Sequence, residues 1–202
     1  METVLELENT AAGAQAQPSI ARKKFRADEV YKMMQVGILP EASGWELING
    51  EIIRRMTIGS KHASTVKRLN RFFTNQVGEN AIVSVQDPIH IDEYNEPEPD
   101  IALLKPRADF YAESHPESQD VLLVIEVSDS TVDFDREVKK TLYAEAGISE
   151  FWLVNLRENT VECHSQPKNK IYRLTQIFEK GEAVESVSIE NLRLKVEDIL
   201  GL

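Results

Sequence analysis

The sequence has a single cysteine, Cys163, so no disulfide can close within the chain and no cysteine-based zinc site can form. That cysteine usage leads us to expect a reducing, cytoplasmic setting. No apolar run approaches the roughly 20 residues needed to span a bilayer. The chain does not open on a basic stretch followed by an apolar core, so no membrane span and no secretory signal is expected. A surplus of positive charge is also missing. The 23 basic and 34 acidic residues leave a formal net charge of −11, which argues against a broad nucleic-acid-binding surface. The acids are unevenly spread. None falls between Ile52 and Gly78, a stretch that carries Arg54, Arg55, Lys61, Lys67, Arg68 and Arg71. Five fall within "DEYNEPEPD", Asp92 to Asp100. A local basic face beside an acidic centre is therefore open to this chain.

The remaining sequence reads as one domain behind a leader. Residues 1–24 include "TAAGAQAQPS", small and polar without a core pattern, and are expected to form a flexible leader. Residues 25–202 are expected to form a single domain. "RADEVYKMMQVGIL" reads as a short helix with Val30, Met33 and Met34 on one side, and "WELINGEIIRRM" as a hairpin turning at Asn49-Gly50. "SKHASTVKRLNRFFTNQVG" reads as an amphipathic helix capped by Ser60, with Val66, Leu69, Phe73 and Val77 inward. Short strands are expected at "AIVSVQ", "IHI" and "PDIALL", and a central one at "VLLVIEVS". "FDREVKKTLYAEAGI" is a helix ended by Gly147. "SEFWLVNL", "TVECHS" and "IYRLTQIF" are successive strands, and "LRLKVEDILGL" is a strand with one helical turn. This order predicts an α+β fold, a mixed central sheet flanked by helices.

The chemistry starts at Glu126, a carboxylate inside the most apolar strand. Alternation puts Leu122, Val124, Glu126 and Ser128 on one face. A buried, unpaired carboxylate costs several kcal/mol or stays protonated, and a cation or a lysine would relieve that cost. A strand end open to water would relieve it equally. Asp100 stands at the mouth of another strand after Pro99, as a turn residue or as a second acid converging on a divalent cation. Asp135, Lys139 and Tyr143 are four apart, so they share one helix face beside the apolar Val138 and Leu142. Lys139 then lies at the edge of the buried side, or in an exposed pair with Asp135. Glu46 precedes the hairpin turn and Glu51 follows it. His62, near the start of the basic helix, reads as structural or as a phosphate contact. His90, His115 and His164 fall in no metal-ligand spacing.

Five segments, "WELINGEI", "SKHASTVKRLNRFF", "EPDIALL", "VLLVIEVSDST" and "FDREVKKTLYAEAGISEFWLV", occur in this order over roughly residues 25–165. In these the chain resembles the Uma-two-type restriction endonucleases, a branch of the PD-(D/E)xK nuclease superfamily. The resemblance implies a restriction-endonuclease-like fold and metal-assisted hydrolysis of DNA phosphodiester bonds. It implies that Asp100 and Glu126 bind Mg²⁺, or Mn²⁺ in its place, that Glu46 adds a further acid, and that Lys139 supplies the lysine. Lys61, Arg68 and Arg71 would contact the DNA backbone. The basic pattern of that superfamily is Glu-x-Lys, and here the third position is Ser128. A nuclease fold kept for binding or scaffolding, without useful activity, is the alternative. A homodimer would bring two sites to the two strands of a duplex, with Phe110 or Phe151 as apolar interface residues.

Overall fold

The computed structural model describes residues 22–40, 44–54 and 59–202. Most of the expected leader, residues 1–21, lies outside them, as does Arg55. Helix α1 (Ala27–Gln35) buries Ala27 and Val30. Strands β1 (Trp45–Ile48) and β2 (Glu51–Arg54) form the expected hairpin. Its turn needs left-handed backbone at both centres, and Asn49 has φ 52 and Gly50 φ 76. A Cβ on Gly50 would also meet the Lys24 Cβ at 2.7 Å.

Helix α2 (Ser60–Val77) buries Val66, Leu69, Phe73 and Val77, the residues whose spacing predicted it. Ser60 is the first residue of that helix and not its cap. Gly59 holds the cap position, and no side chain caps the end. The central sheet has six strands in the order β3-β4-β5-β6-β7-β8. These are β3 (Ile82–Ser84), β4 (Ile101–Leu104), β5 (Val121–Ser128), β6 (Glu150–Asn155), β7 (Thr160–Lys168) and β8 (Ile171–Phe178). The expected strand at "IHI" is replaced by an irregular loop with one bridge from His90 to Glu117. Pro88, directly before it, has no N–H to give a ladder, and Gln86 turns the chain at φ 58.

Among the strands of the described residues only β5 and β6 pair parallel, and a parallel pair needs a long crossover. That crossover is helical over residues 132–145. It consists of α3 (Val132–Phe134), a π-helical turn (Asp135–Lys139) and α4 (Lys140–Glu145). Gly147, at φ 75, ends it as expected. A small hairpin, β9 (Ala183–Glu185) with β10 (Arg193–Lys195), leads into α5 (Val196–Leu200).

Strand alternation sorts the core into two layers. Ile101, Leu103, Leu123, Ile125, Val127 and Trp152 face α2 and α5. Ala102, Val124, Phe151 and Leu153 face Val132, Tyr143 and Ile148 of the crossover side. Each large apolar side chain so buried contributes about 2 kcal/mol. β6 is covered on both faces, which corrects the expectation for Phe151. It is fully buried and stacks on His164, while Phe110 is 74% exposed.

Candidate active site

β4 and β5 pair antiparallel, with Ile101 opposite Ile125. Continuing that register by one residue sets Asp100 opposite Glu126, at the end of the sheet. Glu126 is 3% exposed, so the strand's end does not reach bulk water. The hairpin brings Glu46 over this end, and the crossover helix brings Lys139. The Lys139 ammonium lies 2.9 Å from Glu46 Oε1 and 3.0 Å from Glu126 Oε1. It is a buried ion triad and not an exposed pair with Asp135. Glu46, Asp100, Glu126, Asp135 and Lys139 all line one cavity of about 370 Å³.

Each acid is held differently. Asp100 Oδ2 accepts from the Val127 N–H at 2.9 Å and stands 2.9 Å from His62 Nε2, while Gln86 donates to its Oδ1 at 3.0 Å. Glu126 Oε1 accepts from Lys139 and, at 2.7 Å, from the Tyr143 hydroxyl. Burial pushes the Glu126 carboxyl up to about 8, with the Lys139 charge pulling it down and Asp135, Asp100 and Glu46 adding to the rise. Burial also raises Asp135, again with Lys139 opposing. The Tyr143 hydroxyl is raised well above its ordinary value by burial and then by Glu126, so it remains a proton donor.

Ser128, at the third position of the Glu-x-Lys pattern, is fully buried and donates to Asp135 Oδ2 at 2.6 Å. Thr131 donates to the same oxygen at 2.8 Å. The lysine comes to Glu126 from the crossover helix instead. A π turn at this point is a local departure from α geometry of the kind that concentrates at functional sites.

The basic residues lie elsewhere. Lys61 donates to the Leu156 carbonyl at 2.6 Å. Arg68 donates to the carbonyls of Ile199 at 3.2 Å and Leu200 at 2.8 Å, satisfying the end of α5. Arg71 is exposed on α2. None of the three lines the cavity, whereas Arg54 and His62 do. Sequence reading missed Asp135, Tyr143 and Gln86 as site residues. The four-residue spacing from Asp135 to Lys139 to Tyr143 was the available signal for the first two.

The donor set fits a hard divalent cation. Among the described residues four buried acids meet one buried lysine, and burial disfavours the charged form of Glu126. Among the described residues, no three His, Cys, Asp or Glu side chains are arranged to hold a metal ion by themselves. A bound ion would keep water or phosphate oxygens in its shell, as magnesium does.

A mixed sheet flanked by helices, with acids at the end of its central strands, is a nuclease-like arrangement. A crystal structure from Anabaena variabilis, titled as a putative nuclease belonging to DUF820, superposes with a TM-score of 0.66. The match covers 88% of this chain and 98% of that one, at 19% sequence identity, and speaks for the fold. The chain belongs to the Uma2 family, described as "Putative restriction endonuclease", whose model matches residues 28–197. No curated protein matches it.

Proposed function

We propose that this protein is a Mg²⁺-dependent endonuclease hydrolysing DNA phosphodiester bonds, built as one nuclease domain over residues 25–202 and acting in the cytoplasm. The observation that carries this reading is the meeting of Glu46, Asp100, Glu126 and Lys139, from four separate elements, at one cavity. Asp100 and Glu126 would hold the ion, Mg²⁺ or Mn²⁺. When bound, it lowers the pKa of a water and offsets charge on the phosphate. The chain's own residues prepare that chemistry. Val127, His62 and Gln86 orient Asp100, and Tyr143 orients Glu126. Lys139 places a positive charge where negative charge builds on the phosphate oxygens. Glu46 holds Lys139 at the wall. Arg54 at the cavity, with Lys61 and Arg71 on α2, would contact the DNA backbone, which positions without reading sequence. Arg68 serves α5. A homodimer would cut both strands of a duplex in one encounter.

The second reading, a nuclease-fold binding or scaffold protein, draws on one observation: Lys139 is already bracketed by two carboxylates. The deciding experiment is nicking of supercoiled plasmid with Mg²⁺ and with Mn²⁺. Wild type is expected to cleave, and Asp100→Asn and Glu126→Gln to lose at least about a hundredfold while keeping their circular dichroism. Cleavage by both variants at the wild-type rate would remove this site. Absence of wild-type cleavage with either ion would favour the scaffold reading.

A further inference from the structure

We propose that Asp135 is a further metal-binding residue of this cavity, sharing the ion with Glu126; this rests on the nuclease reading above. Three features point to it. The first is the way its carboxylate is held. Ser128 and Thr131 both donate to Oδ2, which fixes the group, while Oδ1 accepts no hydrogen bond from the described residues. Glu126 is arranged in the same way. Lys139 and Tyr143 both take Oε1, and Oε2 accepts none from the described residues. Asp100 differs, since protein donors reach both of its oxygens.

The second feature is placement. Glu126 and Ser128 lie on one face of β5, two residues and about 7 Å apart. The Ser128 hydroxyl therefore sets Asp135 beside Glu126 on the cavity wall. The position that carries lysine in the Glu-x-Lys pattern here anchors another acid. The third feature is charge. Asp135 is 5% exposed, and Lys139, the one positive side chain buried near it among the described residues, is bonded to Glu46 and Glu126. An asparagine could accept both hydroxyl bonds without the penalty of a buried negative charge. A carboxylate is useful there if the charge itself is used. Two carboxylates with retained waters are enough to hold Mg²⁺.

The test is Mn²⁺ binding by calorimetry to the full chain as wild type, Asp135→Asn and Glu126→Gln, with melting of each metal-free protein. Wild type is expected to bind, and Asp135→Asn to bind at least about tenfold more weakly. The metal-free Asp135→Asn protein should melt no lower than wild type, because the hydroxyl bonds persist and repulsion with Glu126 is relieved. An Asp135→Asn protein that binds Mn²⁺ as wild type does overturns the proposal. So does one whose weaker binding comes with a lower melting temperature, which is the signature of a structural role. If Glu126→Gln loses binding and Asp135→Asn does not, the nuclease reading stands and only this inference falls. If wild type binds no Mn²⁺, both fall.

Discussion

The Tyr143 hydroxyl and the Lys139 ammonium converge on one oxygen of Glu126, at 2.7 and 3.0 Å. Two donors on one oxygen hold the carboxylate in place on the cavity wall. Tyr143→Phe removes one clamp and keeps the ring packed against Phe151, whose centroid is 5.4 Å away. A net loss of about 1–2 kcal/mol in urea unfolding is expected. Metal-dependent cleavage should fall about tenfold or more, because the carboxylate is no longer held. An unchanged rate would make Tyr143 a packing residue only.

The pH dependence of stability follows from Glu126. Its carboxyl rises from 4.5 to about 8 on folding, chiefly by burial. The folded state therefore holds the proton more tightly than the unfolded one. The stabilisation from this group is complete below its unfolded pKa and is lost as pH climbs through the folded value. The metal-free protein should lose several degrees of melting temperature between about pH 5 and about pH 8. Asp135 is raised too and adds in the same direction. Saturating Mg²⁺ should flatten the slope, since it favours the ionised acids. Scanning calorimetry at constant ionic strength gives the measurement, and a melting temperature that rises over this range would contradict the burial argument.

Arg136 fastens the crossover helix to β7 through Glu162, with Nε at 3.2 Å from Oε1 and 3.3 Å from Oε2. Burial alone would raise Glu162, but the His164 ring, its Nε2 3.6 Å away, and the bonds from Arg136 outweigh it and hold the carboxyl down at about 2. Glu162→Ala is expected to cost about 2 kcal/mol, less than a fully buried pair because Arg136 remains partly hydrated. The same helix carries Lys139, so cleavage should drop with it. Equal stability of the variant and the wild type in urea would refute this link.

Arg68 and Arg71 lie one helical turn apart and should behave in opposite ways. Arg68→Ala strips the donors from the Ile199 and Leu200 carbonyls and should lower the melting temperature by several degrees. Arg71→Ala touches nothing internal and should leave stability within about 0.5 kcal/mol. If α2 faces DNA, Arg71→Ala weakens binding and lowers its salt slope by about one, measured by fluorescence anisotropy across salt concentrations. A destabilised Arg71→Ala protein would contradict its exposure.

Local patterns were legible where one physical rule dominated. Asn49-Gly50 dictated a tight turn, and Val66, Leu69, Phe73 and Val77 dictated a helix face, as the structure has them. Glu126 was conspicuous because a carboxylate in an apolar strand demands a partner. Its partners were harder to read. Lys139 could be placed on the right helix face, yet its tie to Glu46 spans 93 residues and belongs to tertiary structure alone. Asp135 looked like half of a surface pair, because α-helical spacing gives no hint of a π turn. The strand expected at "IHI" failed because three alternating residues carry little information, and their backbone N–H groups bond to loop carbonyls of Pro97, Pro116 and Asn95. Arg68 was read by its charge, whereas its geometry matches unsatisfied carbonyls that sequence spacing does not reveal.

The π turn ties the site to chain length in an unusual way. Asp135 and Lys139 stand at its two ends. Each residue advances an α-helix by about 100°. Removing one exposed residue inside the turn, such as Glu137, would close it to ordinary pitch and leave Asp135 three α-helical steps from Lys139 in place of four π-helical ones. Every chemical group of the site would still be present in such a shortened protein, with the acid at a changed angle and height to the lysine. The site therefore depends on a residue count as strictly as on residue identity.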